Sequence, residues 1–310
     1  MQARKCSIIF PHNESIGTVF VFPSETYYPV FASFSDKLRT YSLEDFWEIE
    51  EIKDVKGEIL VRADDSVVLT ISDKKRLSLL SALDAASLDG LYIANSVEVP
   101  VIPYFSHLVR LRHLGLSKHC GTDETLSYAS NLYRLTHLFL NYSINVTDRG
   151  LEYLSDEAPI SHLALLGTSV TGRCLARFAE RSTLQWLDLY RSDAVTVDGL
   201  SGLASLTSLT HVTLGPKNVT DDTLSFLSPL TRLQCLCISG TDITDKGIAH
   251  LSTLRSLKYL DLADCAISDR SLPVLSELTS LKELFVNETR ITSDGVEELR
   301  SVLPFCEIFI

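Results

Sequence analysis

The side chains best suited to chemistry in this sequence recur at a nearly constant interval. The imidazoles and thiols of this series belong to His113, His137, His162, His211, Cys235 and Cys237. Imidazole nitrogens and thiolate sulfurs are ligands that zinc and copper prefer in proteins. A metal needs ligands that converge on one point, whereas rings repeated on neighbouring strands lie side by side. The spacing therefore favours a packed or partner-binding ladder over a metal site, and no cofactor is predicted.

Two acidic residues, Asp188 and Asp261, fall in the same series and are candidates for an acid–base pair. They lie three predicted strands apart, which corresponds to roughly 14 Å and is too far for paired carboxylate chemistry on a glycoside. The sequence also lacks the glycine-rich phosphate-binding, G-x-S-x-G and H-E-x-x-H motifs. It therefore predicts that the chain is not an enzyme.

The interval belongs to a repeat that extends over most of the chain. Ten copies of the pattern L-x-x-L-x-L, with conservative replacements, begin at Leu88, Leu111, Leu135, Ile160, Leu184, Leu209, Leu233, Leu257, Leu281 and Phe305. Successive copies are 23 to 25 residues apart. Because side chains alternate across a strand, the third and fifth residues of each copy face away from the buried leucines.

The second half of each copy predicts a short helix. In the copy that follows Leu233, Thr244 is a suitable N-cap and Asp245 places negative charge in the first turn, where the helix dipole favours it. Ile248, Leu251 and Leu254 then recur at a spacing of three residues and form the inner stripe of the helix. One such unit cannot bury its own leucines, so neighbouring units must stack with their strands in a parallel sheet.

This pattern resembles the leucine-rich repeat family, in the subtype L-x-x-L-x-L-x-x-T-x-I-T-D-x-G-L-x-x-L, which is common in bacterial proteins and related to the repeats of F-box adaptors. The resemblance covers residues 87–310. It implies an α/β fold, a right-handed horseshoe-shaped solenoid with a parallel sheet on the concave side and short helices on the convex side. It also implies a role in protein recognition.

The concave face is the predicted binding surface, since contiguous accessible rings usually mark an interaction site. We expect the partner protein to contact His113, His137, Phe139, His162, Trp186, Asp188, Tyr190, His211, Tyr259, Asp261 and Phe285. Trp186 is the expected anchor, and exposed imidazoles should titrate near their usual pKa of about 6.5. An adaptor that presents substrates to a ubiquitin ligase is the alternative function.

The first 86 residues do not follow the repeat. Residues 57–86 are predicted to cap the apolar end of the solenoid, with a hairpin formed by Gly57–Arg62 and Val67–Ile71 and a short helix over Leu77–Leu83. Residues 1–56 are predicted to form a small α+β module of unknown role. The ligase-adaptor alternative would need a docking motif there, and none is recognisable.

Net charge and cysteine content indicate which classes of partner and which cellular compartment to expect. The net charge of -12 and the pI of about 5.1 disfavour nucleic acid and anionic membranes as partners. The seven cysteines are an odd number, and no export signal is recognisable, which predicts reduced thiols in the cytoplasm. We therefore expect a cytoplasmic, monomeric protein of bacterial type that binds another protein.

Overall fold

The computed structural model describes residues 5–9, 18–22, 50–52, 58–62, 66–71, 74–85, 88–93, 104–180, 182–215 and 219–310. The chain divides into two compact units, Met1–Ile160 and Ser161–Ile310. Each unit combines a sheet, whose repeat strands are parallel, with short helical segments that follow those strands.

The described strands of the first unit are β1 (Lys5–Ile9), β2 (Thr18–Phe22), β3 (Glu50–Ile52), β4 (Glu58–Arg62), β5 (Ser66–Ile71), β6 (Gly90–Ile93), β7 (His113–Leu116) and β8 (His137–Phe139). Its helical segments are Lys74–Ala82 and Lys118–Cys120, which are 3-10 helices, and α1 (Asp123–Ser127) and α2 (Asp148–Glu152). Strands β5 to β8 pair in parallel in chain order.

The second unit contains β9 (His162–Ala164), β10 (Trp186–Leu189), β11 (His211–Leu214), β12 (Cys235–Cys237), β13 (Tyr259–Asp261), β14 (Glu283–Phe285) and β15 (Glu307–Phe309). Its α-helices are α3 (Val197–Leu200), α4 (Asp221–Leu224), α5 (Asp245–Ile248), α6 (Leu272–Glu277) and α7 (Ser293–Val302). Its 3-10 helices are Arg173–Phe178, Ser201–Ser205, Ser225–Leu227, Ala249–Leu251 and Asp269–Ser271. All seven strands pair in parallel with their chain neighbours.

The ten repeat strands predicted from the sequence are confirmed as β6 to β15. Each strand begins two residues after the first apolar residue of its copy, as at Leu257 and Tyr259. The fourth residue of each copy points into the core, and in the second unit these residues align in register from Leu187 to Ile308. Each member of this row is buried, because the row is covered by the same position of the neighbouring strands.

The hairpin predicted within residues 57–86 is wrong. Both strands are present, as β4 and β5, but β4 pairs antiparallel with β1. Strand β5 pairs antiparallel with β2 and in parallel with β6, so it adds a further strand to the edge of the repeat sheet. The sequence between the two strands resembles a turn, but the hydrogen bonds of each strand are made with more distant partners. The predicted short helix is present as the 3-10 helix Lys74–Ala82.

An aspartate ladder connects successive repeats on the helical side. The carboxylate of Asp221 accepts hydrogen bonds from the backbone nitrogen of Thr244, at 2.8 Å, and from its Oγ1, at 2.6 Å. The same pair of bonds joins Asp123 to Thr147, Asp245 to Ser268 and Asp269 to Thr292. The T-D pair of one repeat therefore holds the N-cap of the next, a role beyond the helix-dipole contact that the sequence suggested.

A glycine makes room for three of these four carboxylates, and the fourth, that of Asp245, accepts a hydrogen bond from Oγ of Ser271, at 2.6 Å. A Cβ atom on Gly247 would lie 2.5 Å from Oδ1 of Asp221, closer than two such atoms can approach. Where Gly172 replaces the aspartate, the ladder changes, and the backbone nitrogen of Thr196 donates to the carbonyl oxygen of Thr171 instead, at 3.0 Å. The motif T-D-x-G is thus explained by a contact between repeats.

Candidate functional site

The open face of the second unit is the side of strands β9 to β15 that carries the third and fifth residues of each copy. Along the third positions the register joins His162 to Trp186, Trp186 to His211, and His211 to Cys235. It continues through Tyr259, Glu283 and Glu307. Adjacent strands are about 4.8 Å apart, so neighbouring side chains of this row touch or cover one another.

Several predicted contact residues are covered rather than accessible. Trp186 is only 4% exposed and Asp188 only 2%, and Asp261 is also buried. The ring of Trp186 stacks on that of His162 with centroids 6.3 Å apart, because large side chains at aligned positions of parallel strands cover their neighbours. Trp186 is therefore part of the floor of the open face and not the accessible anchor that the sequence suggested.

The predicted site residues of the first unit form their own ring cluster. The rings of His113 and His137 lie 4.3 Å apart, and those of Tyr92 and Phe139 lie 5.9 Å apart. His113 and Phe139 are buried, while His137 is half-buried. Gly115 allows this packing, because a Cβ atom there would collide with the ring of Tyr92.

Hydrogen bonds fix the tautomer of His211. The hydroxyl of Thr210 donates its only proton to the carbonyl oxygen of Gln185, at 3.0 Å. Its oxygen, 2.9 Å from Nδ1 of His211, must therefore accept a proton from that nitrogen. The neutral ring then carries its lone pair on Nε2. Thr136 imposes the same arrangement on His137 through the carbonyl oxygen of Arg112.

Burial favours the neutral form of the His162 and His211 imidazoles. It lowers the pKa of His162 to about 4, and the neighbouring His211 contributes to the lowering. Burial also lowers the pKa of His211, with a smaller contribution from the positive charge of Lys258. The expectation of a pKa near 6.5 applied to exposed rings, and both of these rings are half-buried between neighbouring strands.

The two carboxylates of the series hold turns of the backbone. Oδ1 of Asp188 accepts a hydrogen bond from the backbone nitrogen of Tyr190, at 2.8 Å, and burial raises the pKa of this carboxyl to about 7. Oδ1 of Asp261 accepts in the same way from the backbone nitrogen of Ala263, at 3.1 Å. Each carboxylate thus fixes the path of the chain as it leaves its strand.

Cys237, on the fifth position of β12, is a protonated thiol. A hydrogen bond with Cys235 and burial raise the pKa of Cys237 well above its usual value. A raised thiol pKa disfavours the thiolate that binds metals and attacks electrophiles. Within the described part of the chain, no group of three or more His, Cys, Asp or Glu residues is placed to hold a metal ion.

Three accessible rings of the open face lie in contact on its last three strands. Tyr259, Phe285 and Phe309 are each half-buried and form an aromatic column, with centroid separations of 5.2 Å and 4.3 Å. Glu283 and Glu307 lie beside this column, in register with each other, and both are exposed. Phe309 was absent from the predicted site, although it is the fifth residue of the last copy and the repeat pattern already placed it on this face.

Comparisons with known proteins agree with this architecture. A family model described as Leucine Rich repeat matches residues 253–273. A solved chain of the mouse RP105/MD-1 complex is 22% identical, with a TM-score of 0.52, and the match covers 75% of this chain and 39% of that one. An internalin, InlF, from Listeria monocytogenes is 19% identical, with a TM-score of 0.45, over 79% of this chain and 86% of that one. No curated protein matches.

The described residues include no helix that is both long enough and apolar enough to cross a bilayer. Their parallel strands, the short helices that follow them and the match to the mouse structure identify the fold class that the sequence predicted. This chain has the α/β fold of the leucine-rich repeat proteins.

Proposed function

We propose that this chain is a scaffold that binds a protein partner on the open face of its second unit. The observation that carries the proposal is the aromatic column of Tyr259, Phe285 and Phe309, which is half-exposed on strands whose inward residues Leu260, Leu284 and Ile308 are buried. Aromatic side chains supply large contact areas at a low cost in conformational entropy, and interface energy concentrates in them. The proposed anchor is therefore this aromatic column, which begins three strands beyond the buried Trp186.

The rigidity of the column favours binding. Leu260, which follows Tyr259 on β13, and Leu284, which precedes Phe285 on β14, are completely buried in the core. The rings of Phe285 and Phe309 are almost parallel, with an angle of 6° between their planes. Because these side chains are already ordered, a partner loses little of its binding free energy in ordering them.

The remaining predicted site residues support this surface in different ways. His162 and His211 are half-buried on the open face and extend it towards the beginning of the unit, and Tyr190, which follows β10, is also half-buried. The aspartate ladder also supports the T-x-I-T-D-x-G-L subtype as part of the proposal.

The cytoplasmic location and the monomeric state remain predictions. The ligase-adaptor alternative depends on residues 1–56, most of which lie outside the described part of the chain.

Replacing Phe285 by alanine should weaken the partner's affinity at least tenfold, which corresponds to about 1.4 kcal/mol. The substitution removes the central ring of the column, which contacts both Tyr259 and Phe309. The partner would first be isolated from the native cells with the wild-type chain, and its Kd then measured by calorimetry. Phe285→Leu, which retains apolar bulk without a ring, should give an intermediate loss.

Lys246→Ala is the matched control, because this exposed residue lies in α5 on the helical side. Its affinity should equal that of the wild type. Thermal unfolding of each variant would show whether the sheet is intact. An intact Phe285→Ala variant with undiminished affinity would exclude the aromatic column as the binding surface.

A further inference from the structure

We propose that the partner segment seated on the aromatic column is basic and places a lysine or arginine side chain between the rings and two carboxylates. This inference rests on the proposed function and specifies the chemistry of the partner. The carboxylates are those of Glu283 and Glu307, on the third positions of β14 and β15.

The two glutamates form a pair of like charges in an unfavourable arrangement. They are direct neighbours in the register of two parallel strands, about 4.8 Å apart along the sheet. Like charges at directly opposed positions of a sheet destabilise it. Within residues 219–310, where the chain is continuously described, no Lys or Arg forms an ion pair with either carboxylate.

The lysines that precede β13 and β14 form no ion pair with these glutamates. Lys258, which precedes β13, donates from Nζ to Oε1 of Gln234, at 2.9 Å. Lys282, which precedes β14, is exposed at the second position of its copy. A cation from a partner would relieve the repulsion that the chain's own lysines leave in place.

The aromatic column is suited to the same cation. A guanidinium or ammonium group is attracted to the face of an aromatic ring, with the largest gain where water is excluded. Tyr259 and Phe285 flank Glu283, and Phe309 flanks Glu307, so a bound cation meets rings and carboxylates together. Nε2 of His211, which carries a lone pair, extends the set of hydrogen-bond acceptors along this face.

Other classes of protein segment fit less well. A purely apolar segment would cover two carboxylates without pairing them, which costs free energy because buried charges need partners. An acidic segment would add charge to a chain whose net charge is already -12. A basic segment is instead steered towards the acidic surface before it contacts the rings.

Fluorescence anisotropy with the full chain tests this proposal. The probes are four labelled octapeptides in which glycine alternates with arginine, lysine, glutamine or glutamate. We expect the arginine and lysine peptides to bind at 50 mM salt and the other two to bind at least tenfold more weakly. The double variant Glu283→Gln/Glu307→Gln should weaken arginine-peptide binding at least tenfold, and Phe285→Leu should weaken it at least threefold.

The charge-matched control is Glu297→Gln/Glu298→Gln, which changes two exposed glutamates of α7. It alters the net charge by the same amount and should change the Kd less than twofold. Equal losses in the two double variants would overturn the proposal, since binding would then reflect only the overall charge. The proposal also fails if neither basic peptide binds at millimolar concentration.

Failure of the partner chemistry is separable from failure of the binding surface. If the glutamine peptide binds as tightly as the arginine peptide and Phe285→Leu weakens both, the basic-partner proposal is wrong and the proposed function stands. If the native partner's affinity is unaffected by Phe285→Ala, the surface itself is wrong.

Discussion

Replacing Asp188 by asparagine will stabilise this protein at pH 8 by about 2–4 kcal/mol, and the gain will disappear as the pH falls towards 4. Burial raises the pKa of this carboxyl from 3.8 to about 7. The folded state therefore binds more protons than the unfolded state between about pH 4 and 7. Asparagine carries no charge, and its Oδ1 can keep the hydrogen bond from the backbone nitrogen of Tyr190.

The sign follows from the linkage between protonation and folding. Because the folded-state pKa of Asp188 is raised, its contribution favours the folded state below the unfolded pKa and is lost as the pH rises through about 7. His162 acts in the opposite direction, since burial lowers its pKa from 6.5 to about 4. Its contribution is lost as the pH falls from 6.5 through 4.

The two groups therefore oppose each other between pH 4 and 6.5, and single variants separate them. Chemical denaturation at pH 4.5, 6 and 8 should show that Asp188→Asn loses stability more steeply on acidification than the wild type. His162→Gln should lose less than the wild type over the same range. A profile for Asp188→Asn that runs parallel to the wild-type profile would show that this carboxyl ionises at an ordinary pH.

Gly247→Ala should destabilise the protein by about 2–4 kcal/mol, although glycine-to-alanine changes within helices ordinarily stabilise by about 0.5–1 kcal/mol. The added Cβ atom would lie 2.5 Å from Oδ1 of Asp221 and 3.1 Å from its Cα. The carboxylate or the helix must then shift, which strains the two hydrogen bonds that Asp221 accepts from Thr244. The free energy of unfolding, from urea denaturation, measures this loss.

A double-mutant cycle identifies the cause of that loss. In the background of Asp221→Ala the carboxylate is gone, so the additional cost of Gly247→Ala should fall by at least half. Lys246→Ala, the exposed neighbour in α5, should change stability by less than about 0.5 kcal/mol. Additive losses from Asp221→Ala and Gly247→Ala would mean that the glycine is required for a reason unrelated to the ladder.

The repeat architecture was predictable because one pattern of apolar residues occurs ten times in the sequence. The spacing of apolar residues located every strand from β6 to β15, since a single copy with a weak signal is supported by its neighbours. The pairing of β4 with β1 was not predictable in this way. Residues 1–86 contain no repeated pattern, and a local turn signal does not say which distant strand will supply the hydrogen bonds.

The faces of the strands were predictable, but the exposure of their side chains was not. Alternation placed Trp186 and Asp188 opposite the leucine core, as the structure does. Their burial depends on the size and rotamer of the rings on both neighbouring strands, which a single-strand pattern does not contain. The contact between Asp221 and Gly247 was not predicted for a related reason. The helix dipole already gave the aspartate a local role, and the pattern of one copy does not show its contacts with the next copy.

The aspartate ladder has a consequence for how such a chain changes its length in evolution. Each aspartate recognises a Thr or Ser in the following repeat, as Asp221, Asp245 and Asp269 do in succession. Every repeat in that series carries both an aspartate and the Thr or Ser that donates to the aspartate of the preceding repeat. Any one of these repeats can therefore follow any other. Unequal recombination that inserts or removes one whole 24-residue copy recreates the same junction, and the array can lengthen without new contacts being selected. An insertion that moved an aspartate out of reach of the Thr or Ser of the following repeat would break this junction.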